Sequence, residues 1–500
     1  MVIRTYSAVL HGLETKIIEV EIDSGRGIPG LHIVGLASQA VREAKERITT
    51  ALVNTGARLK AQKVTVNLAP AYLKKDSAAL DLAIAAGLLH LHAPVPLITS
   101  QADSALFLGE IALDGKIKHI NGTLPLVLGA VKKGFSTFLV PSVNIRELAG
   151  IPSIKVIPVY HLRQLLKPIN PITIIRFSPT KSSPLPLPSI IGQYHAKRAL
   201  LIAAAGGHSV LLTGPPGSGK TKLAQLFPHL LPKLTPAEAQ EVTSVYSAAG
   251  LLRSSTIITR PFRAPHHSIS RTGLLGGGVK LVAGEITLAH RGILFLDEIA
   301  EFPPSILDML RQPLEQHEVV FSSSQGSTSY PAHFQLIAAT NPCRCGYAGA
   351  THKNCICTPL QVAQYQKRLS GPLLDRFDLR VTMGEFETIP GTDSKQSFTF
   401  LPGASITDSQ KQITQARLLQ AARYQKLSTK LNASLTTEVL HSVCSLTSSA
   451  RVVLNQAQKQ LSLSGRGYFK VIKVAQTISD LEGISQIGET EVLEALQYRQ

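Results

Sequence analysis

The sequence predicts an α/β domain with an α+β unit before it and a helical lid after it, and three observations carry that prediction. An apolar run of strand length, HSVLLTG, leads into GPPGSGKT, Gly214 to Thr221, and then into the helix-forming KLAQLF. Strand, glycine-rich turn and helix N-terminus in that order are the setting a P-loop requires. A second buried run, GILFLDEIA, ends in Asp297-Glu298 downstream of that loop. Beyond about Phe400 the chain reads as successive helices: QKQITQARLLQAARYQK, TTEVLHSVCSLTSSARVVLNQAQKQ, GYFKVIKVAQTISDLEG and GETEVLEALQYR.

Composition sets the outer bounds. Five hundred residues suggest roughly three domains. A net charge of +18 favours a polyanionic partner, nucleic acid before acidic lipid. The opening MVIRTYSAVLHGLETK lacks an uninterrupted apolar core, so no secretory signal is expected. The most apolar segment, Leu80 to Ile98, is broken by Asp81, two histidines and two prolines, so it is no membrane span. Four of the five cysteines crowd between Cys343 and Cys357, unlike a disulfide scaffold. A cytoplasmic chain with no membrane partner is expected.

The first unit covers residues 1–167. KIIEVEID, LHIVG, KVTVNLA, ALFLGEIAL and TFLVP read as strands, and QAVREAKERITTAL and ALDLAIAAGLL as helices. The mixture predicts an α+β domain. Lys74, Lys75 and Asp76 read as a solvated turn. Residues 168–189 hold six prolines among serine and threonine, the composition of a semi-rigid linker.

The nucleotide domain is placed at 190–395. Gly214, Pro215, Pro216, Gly217, Ser218 and Gly219 form the loop whose backbone N–H groups can turn toward phosphate oxygens, with the helix dipole behind them. Lys220 can reach the β- and γ-phosphates of ATP, and the Thr221 hydroxyl can ligate Mg²⁺. Asp297 would hold the same Mg²⁺, directly or through water, and Glu298 would act as general base on the attacking water. FQLIAATN reads as another buried strand ending at Asn341, whose side chain can sense the γ-phosphate. Gly276 to Gly278 predict a loop or hairpin, and the turn at Gln325-Gly326 a second hairpin. His266 and His267 would point to different faces of a strand, which argues against a shared metal.

After Asn341 come two CxC pairs, Cys343/Cys345 and Cys355/Cys357, in a segment of 343–357. Four thiolates match a structural Zn²⁺ site; a redox pair or mere proximity compete with it. Cys444 lies apart and reads as a core residue. KRLSGPLLDRFDLRV places Arg376 after a helix and beside a strand at the far edge of the domain, and Arg466 stands just before the third helix of the 396–500 unit.

Together these motifs resemble the AAA+ ATPases of the magnesium-chelatase type, with GPPGSGKT, ILFLDE, ATN and LLDRFD in order. GQYHAKRALLIAAAGGH, PFRAPHHSIS, GEITLAHRGILFLDE, YPAHFQLIAATNPCRCG and SGPLLDRFD are most similar to the ComM (YifB) family, and the N-terminal unit resembles that family's Lon-protease-like domain. The resemblance implies that Arg376 is an arginine finger for a neighbouring subunit and Arg466 a sensor-2 arginine. It also implies that the four cysteines are the family's cluster. It further implies a homohexameric ring acting as an ATP-driven DNA helicase or branch-migration motor in natural transformation and recombination, alongside competence proteins. No recognition helix or aromatic base-stacking platform is evident and tryptophan is absent, so DNA binding without sequence readout is expected.

The chain departs from Lon proteases. KDSAALD carries Ala79 where a nucleophilic serine is expected, and Leu124 stands where its lysine partner would be. A Ser–Lys dyad needs both groups, so the domain is expected to be proteolytically inactive. The FSSSQG hairpin also lacks the arginine carried by relatives. The alternative function is the ATPase subunit of a metal-inserting magnesium chelatase; the N-terminal domain, the cysteines and the basic charge count against it.

Overall fold

The computed structural model describes residues 2–35, 39–57, 62–73, 75, 77–101, 104–152, 154–169, 172–173, 190, 192–252, 256–278, 281–323, 326–350, 353–384, 399–401, 404–425, 427 and 430–499.

The N-terminal unit is built on an eight-stranded mixed sheet. Ile3–His11 and Glu14–Gly25 form its central hairpin, Ile3 opposite Ile22 and His11 opposite Glu14. Alternate residues Ile18, Val20 and Ile22 are fully buried, as the period of a pleated strand demands. Helices Gln39–Asn54 and Asp81–His92 contribute to one apolar cluster and helix Thr123–Val131 to another. Ala79 and Leu124 lie in the same apolar cluster. The two positions expected to lack a protease dyad are therefore both parts of the core.

Several expectations change here. ALFLGEIAL is interrupted, with strands at Ala105–Phe107 and Glu110–Ile111 only. Lys75 is not solvated: it is fully buried and its Nζ donates to the Pro70 carbonyl; Lys74 and Asp76 lie outside the described residues. The linker begins later than 168, because Ile172–Thr173 pairs antiparallel with Lys155–Val156 and extends the sheet. Most of the remaining linker, and the 395/396 boundary, lie outside the described residues.

The nucleotide domain has a five-stranded parallel sheet in the order Phe262–Arg263, Ile293–Leu296, Gln335–Thr340, Val210–Thr213, Leu379–Thr382. Its inner strands are continuous apolar runs because both faces are covered. The P-loop strand is central, with Thr213 level with Thr340 on one side and Thr382 on the other. All five strands therefore end on one edge, where the connecting loops of such sheets bind ligands. Gly276–Gly277 pairs with Val282–Ala283, giving the expected hairpin, and Glu318–Ser323 pairs with Gly326–Pro331 to give the second. PPSILDMLRQPLEQ folds as two short helices, Pro304–Asp308 and Arg311–Gln316.

The C-terminal unit consists of helices Ile406–Arg423, Thr437–Val443, Ser448–Gln460, Gly465–Glu482 and Glu489–Gln497. Ser405, Thr447 and Ser464 cap three of them through side-chain oxygens, satisfying N–H groups the helix leaves open. Cys444 is buried in the shared core. This unit packs on the edge where the strands begin, and among the described residues its polar contacts reach Ala204, His208 and Asp378 rather than the P-loop of its own chain. Lys470 Nζ lies 2.6 Å from Asp378 Oδ1, and His208 Nε2 lies 2.8 Å from Thr477 Oγ1. His208 and Asp378 stand just before the strands at Val210 and Leu379. Burial opposes the Asp378 charge, but Lys470 and His208 outweigh it and hold the carboxyl well below the usual range. Arg466 is the second residue of its helix rather than a residue before it.

The N-terminal unit docks on the nucleotide domain. Gly122 N donates to Ser247 O at 2.9 Å, and the Ser247 hydroxyl donates to Glu147 Oε2 at 2.6 Å. No helix among the described residues is long and apolar enough to cross a membrane.

Candidate active site

The loop Gly214–Gly219 connects the central strand to helix Lys220–Leu230. Gly217 and Gly219 have φ of +82° and +92°, backbone that only glycine adopts without strain. Together they turn the loop so that the open N–H groups of the helix start face its concave side. The Ser218 hydroxyl is buried without a partner among the described residues. A buried donor of this kind fits a phosphate oxygen.

Lys220 folds back over the loop. Its Nζ donates to Gly214 O at 2.7 Å, Pro215 O at 2.8 Å and Asn341 Oδ1 at 3.2 Å. Burial lowers its pKa, and the Asp297 and Glu298 carboxylates oppose that shift. The Thr221 hydroxyl donates to Asp297 Oδ2 at 2.8 Å, so the two residues expected to hold Mg²⁺ are in contact. Glu298 is solvent-exposed, takes φ of +48°, and its N–H donates to Asp297 Oδ1 at 3.0 Å. Lys220, Thr221, Asp297, Glu298 and Asn341 thus converge at the ends of three adjacent strands.

Arg376 and Arg466 are elsewhere. Arg376 follows helix Gly371–Leu374 and precedes the edge strand Leu379–Thr382, as its sequence context predicts. It therefore stands where the strands begin, while the P-loop stands where they end. A four-residue strand spans roughly 13 Å, and the two sites lie beyond its opposite ends. Arg376 Nη2 lies 2.5 Å from Glu315 Oε1, its Nη1 donates to Pro372 O at 3.1 Å, and Arg466 Nη2 lies 3.8 Å from the same Glu315 oxygen. One carboxylate gathers both arginines. Glu315 has no signature in the sequence, because a single glutamate in a short helix looks like any other.

The Sγ atoms of Cys343, Cys345, Cys355 and Cys357 all lie within 4.8 Å of one another. Cys343 Sγ is 3.4 Å from Cys345 Sγ and 3.6 Å from Cys355 Sγ. Disulfide sulfurs would be about 2.05 Å apart, whereas thiolates around one tetrahedral zinc at about 2.3 Å stand roughly 3.8 Å apart. The donor set and spacing fit zinc. N–H donation from Tyr347, helped by Ile356 and the neighbouring thiols, brings the Cys345 thiol down to about 6.

His266 and His267 lie in a turn, not a strand, with ring centroids 4.0 Å apart. The argument from opposite strand faces therefore fails, although no metal-ligating cluster includes them among the described residues. His267 also meets Phe302 edge-on, which gives it a packing role.

Three family models match: "Magnesium chelatase, subunit ChlI" over residues 186–389, "Subunit ChlI of Mg-chelatase" over 19–144, and "Magnesium chelatase, subunit ChlI C-terminal" over 403–499. Competence protein ComM of Haemophilus influenzae is 38% identical over 99% of this chain and 96% of its own length. An uncharacterized Mycobacterium tuberculosis protein is 38% identical over 99% of this chain and 98% of its own length. The uncharacterized protein YifB of Escherichia coli is 37% identical over 98% of this chain and 95% of its own. With its nucleotide-site geometry and full-length relatives, the chain belongs to the magnesium-chelatase-like AAA+ ATPase family of ComM and YifB.

Proposed function

We propose that this chain is an ATP-driven motor that assembles into a homohexameric ring and acts on DNA without sequence readout, as a helicase or branch-migration motor in natural transformation and recombination. The observation that carries the DNA reading is the full-length likeness to a protein named competence protein ComM. The net charge of +18 supports it, since a basic protein concentrates on polyphosphate. Recombination and competence proteins are its proposed partners.

In this reading the loop Gly214–Gly219 holds the β- and γ-phosphates of ATP, and Lys220 leaves its carbonyl partners for phosphate oxygens. Thr221 and Asp297 would hold Mg²⁺, which would supply charge neutralisation at the phosphates. Glu298 accepts the proton of the attacking water, and Asn341 orients that water against the γ-phosphate. Arg376 and Arg466 reach the site of the next subunit, a role supported by their place at the opposite edge of the sheet. The N-terminal domain is proteolytically inactive, supported by the core positions of Ala79 and Leu124.

The Cys343, Cys345, Cys355 and Cys357 cluster holds structural Zn²⁺. Elemental analysis of the purified chain is expected to find about one zinc per chain, lost when Cys343 and Cys345 are both replaced by serine. A metal-free chain with four freely titrating thiols in this segment would end the zinc reading.

The motor reading is tested by binding to double-stranded DNA across a salt series, with ATPase measured alongside. The logarithm of affinity is expected to fall linearly with the logarithm of salt, and DNA is expected to stimulate hydrolysis. An ATPase indifferent to DNA, from a chain that fails to bind it even at low salt, overturns the reading. Metal insertion is the weaker alternative: the magnesium-chelatase 38 kDa subunit of Cereibacter sphaeroides is 26% identical over only 32% of this chain.

A further inference from the structure

The cysteine segment touches the P-loop directly. Gly346, in the turn after Cys345, has φ of +89°, and a Cβ placed on it would sit 2.6 Å from Pro216 Cδ and 2.7 Å from Pro216 Cγ. Such approach leaves no room for a side chain. The turn is wrapped on Cys343: Gly346 N donates to Cys343 O at 3.0 Å, and Ala348 N donates to Cys343 Sγ at 3.3 Å. Cys343 is fully buried. Two residues before it, Asn341 Oδ1 accepts from Lys220 Nζ at 3.2 Å, and Thr340 O accepts from Gly214 N at 3.2 Å. The segment 340–346 therefore grips the loop at its first residue, at its proline and at its lysine.

We propose that Gly346 is a positioning residue for the P-loop, through which metal occupancy of the four cysteines sets nucleotide affinity. This rests on the nucleotide and zinc roles proposed above. The physical case is one of leverage. A loop whose N–H groups must converge on phosphate has a fixed shape, and Pro216 is one of its two exposed residues, beside Gly217. The Gly346 turn is the neighbour that limits outward movement of Pro216. The turn's own shape depends on Cys343 and Cys345, which are two of the four thiols. Metal removed from the cluster leaves the thiols to repel or rotate apart, and the turn no longer buttresses Pro216.

The test uses the full chain and a fluorescent ATP analogue, with equilibrium affinity and zinc content measured together. Gly346→Ala is expected to keep its zinc and to bind the analogue about tenfold more weakly. Gly349→Ala is the matched control: Gly349 also has positive φ, at +78°, but nothing lies within 4 Å of a Cβ there. It is expected to bind as the parent does. Adding Pro216→Ala to Gly346→Ala removes the ring atoms that clash, so the double variant is expected to bind more tightly than Gly346→Ala alone. In the unmutated chain, zinc removal by a chelator is expected to weaken binding to a similar degree, with recovery on adding zinc back.

Parent-like affinity in Gly346→Ala overturns the proposal, and so does an equal loss in Gly349→Ala, which would reduce the effect to backbone strain. Unchanged affinity after zinc removal overturns the metal coupling even where the alanine variant fails to fold. A parent chain that binds no nucleotide at all is a different result and ends the proposed function instead.

Discussion

Replacing Arg376 with alanine is expected to cut ATP hydrolysis by about 10³–10⁵-fold while leaving ATP affinity nearly intact. That range is what an arginine finger contributes by stabilising charge on the transferring phosphoryl group. The affinity is spared because Arg376 touches Glu315 and Pro372, at the edge of the sheet where strands begin and away from its own P-loop. Steady-state ATPase and equilibrium ATP binding separate the two quantities. The stronger form of the experiment mixes Arg376→Ala chains with Lys220→Ala chains. Each is inactive by itself, but side by side an intact loop can meet an intact arginine. Some activity should return, provided the two forms are shown to co-assemble. If co-assembled mixtures stay at the level of the single variants, the trans assignment of Arg376 fails.

Glu298→Gln is expected to lower hydrolysis by about 10²–10⁴-fold, the usual contribution of a positioned general base, and to retain ATP. An amide keeps the size of the side chain but cannot take a proton from water. The backbone should tolerate the change, because the Glu298 N–H donation to Asp297 at 3.0 Å does not involve the side chain. Single-turnover hydrolysis measured beside ATP retention checks this, and normal turnover would remove Glu298 as the base. The contact between Thr221 and Asp297 should survive, so magnesium-dependent ATP binding serves as the internal control.

The parts of this molecule that were legible in its sequence are those whose determinants are contiguous. GPPGSGKT states its strand, turn and helix within a few residues, and GILFLDEIA and FQLIAATN state theirs in the same way. The observed strands Val210–Thr213, Ile293–Leu296 and Gln335–Thr340 follow those runs closely. The first strand, Ile3–His11, was obscured because its turn is only Gly12-Leu13 and its outward residues are mixed in character. Placement of the helical unit was not legible at all. The pairings that fix it, Lys470 with Asp378 and Thr477 with His208, join positions far apart in the chain. Lys75 misled for a different reason. A lysine in a polar stretch reads as solvated, but this one is fully buried and folds back onto the Pro70 carbonyl five residues earlier. Likewise nothing in the sequence singles out Gly346, since its meaning comes from Pro216, a residue more than a hundred positions away.

The opposite placement of the P-loop and the Arg376–Glu315–Arg466 group has a consequence for symmetry. If those arginines serve the neighbouring loop, the contact joins two unlike faces of the same chain, so no two-fold axis can relate the partners. Heterologous contacts of this kind repeat with a constant rotation and either close on themselves or run on as an open helix. Every open assembly would then contain one fewer complete site than it has copies, with a loop lacking its arginines at one end and arginines facing solvent at the other. Turnover per chain should therefore climb with the number of copies joined, and reach its full value only in the closed form.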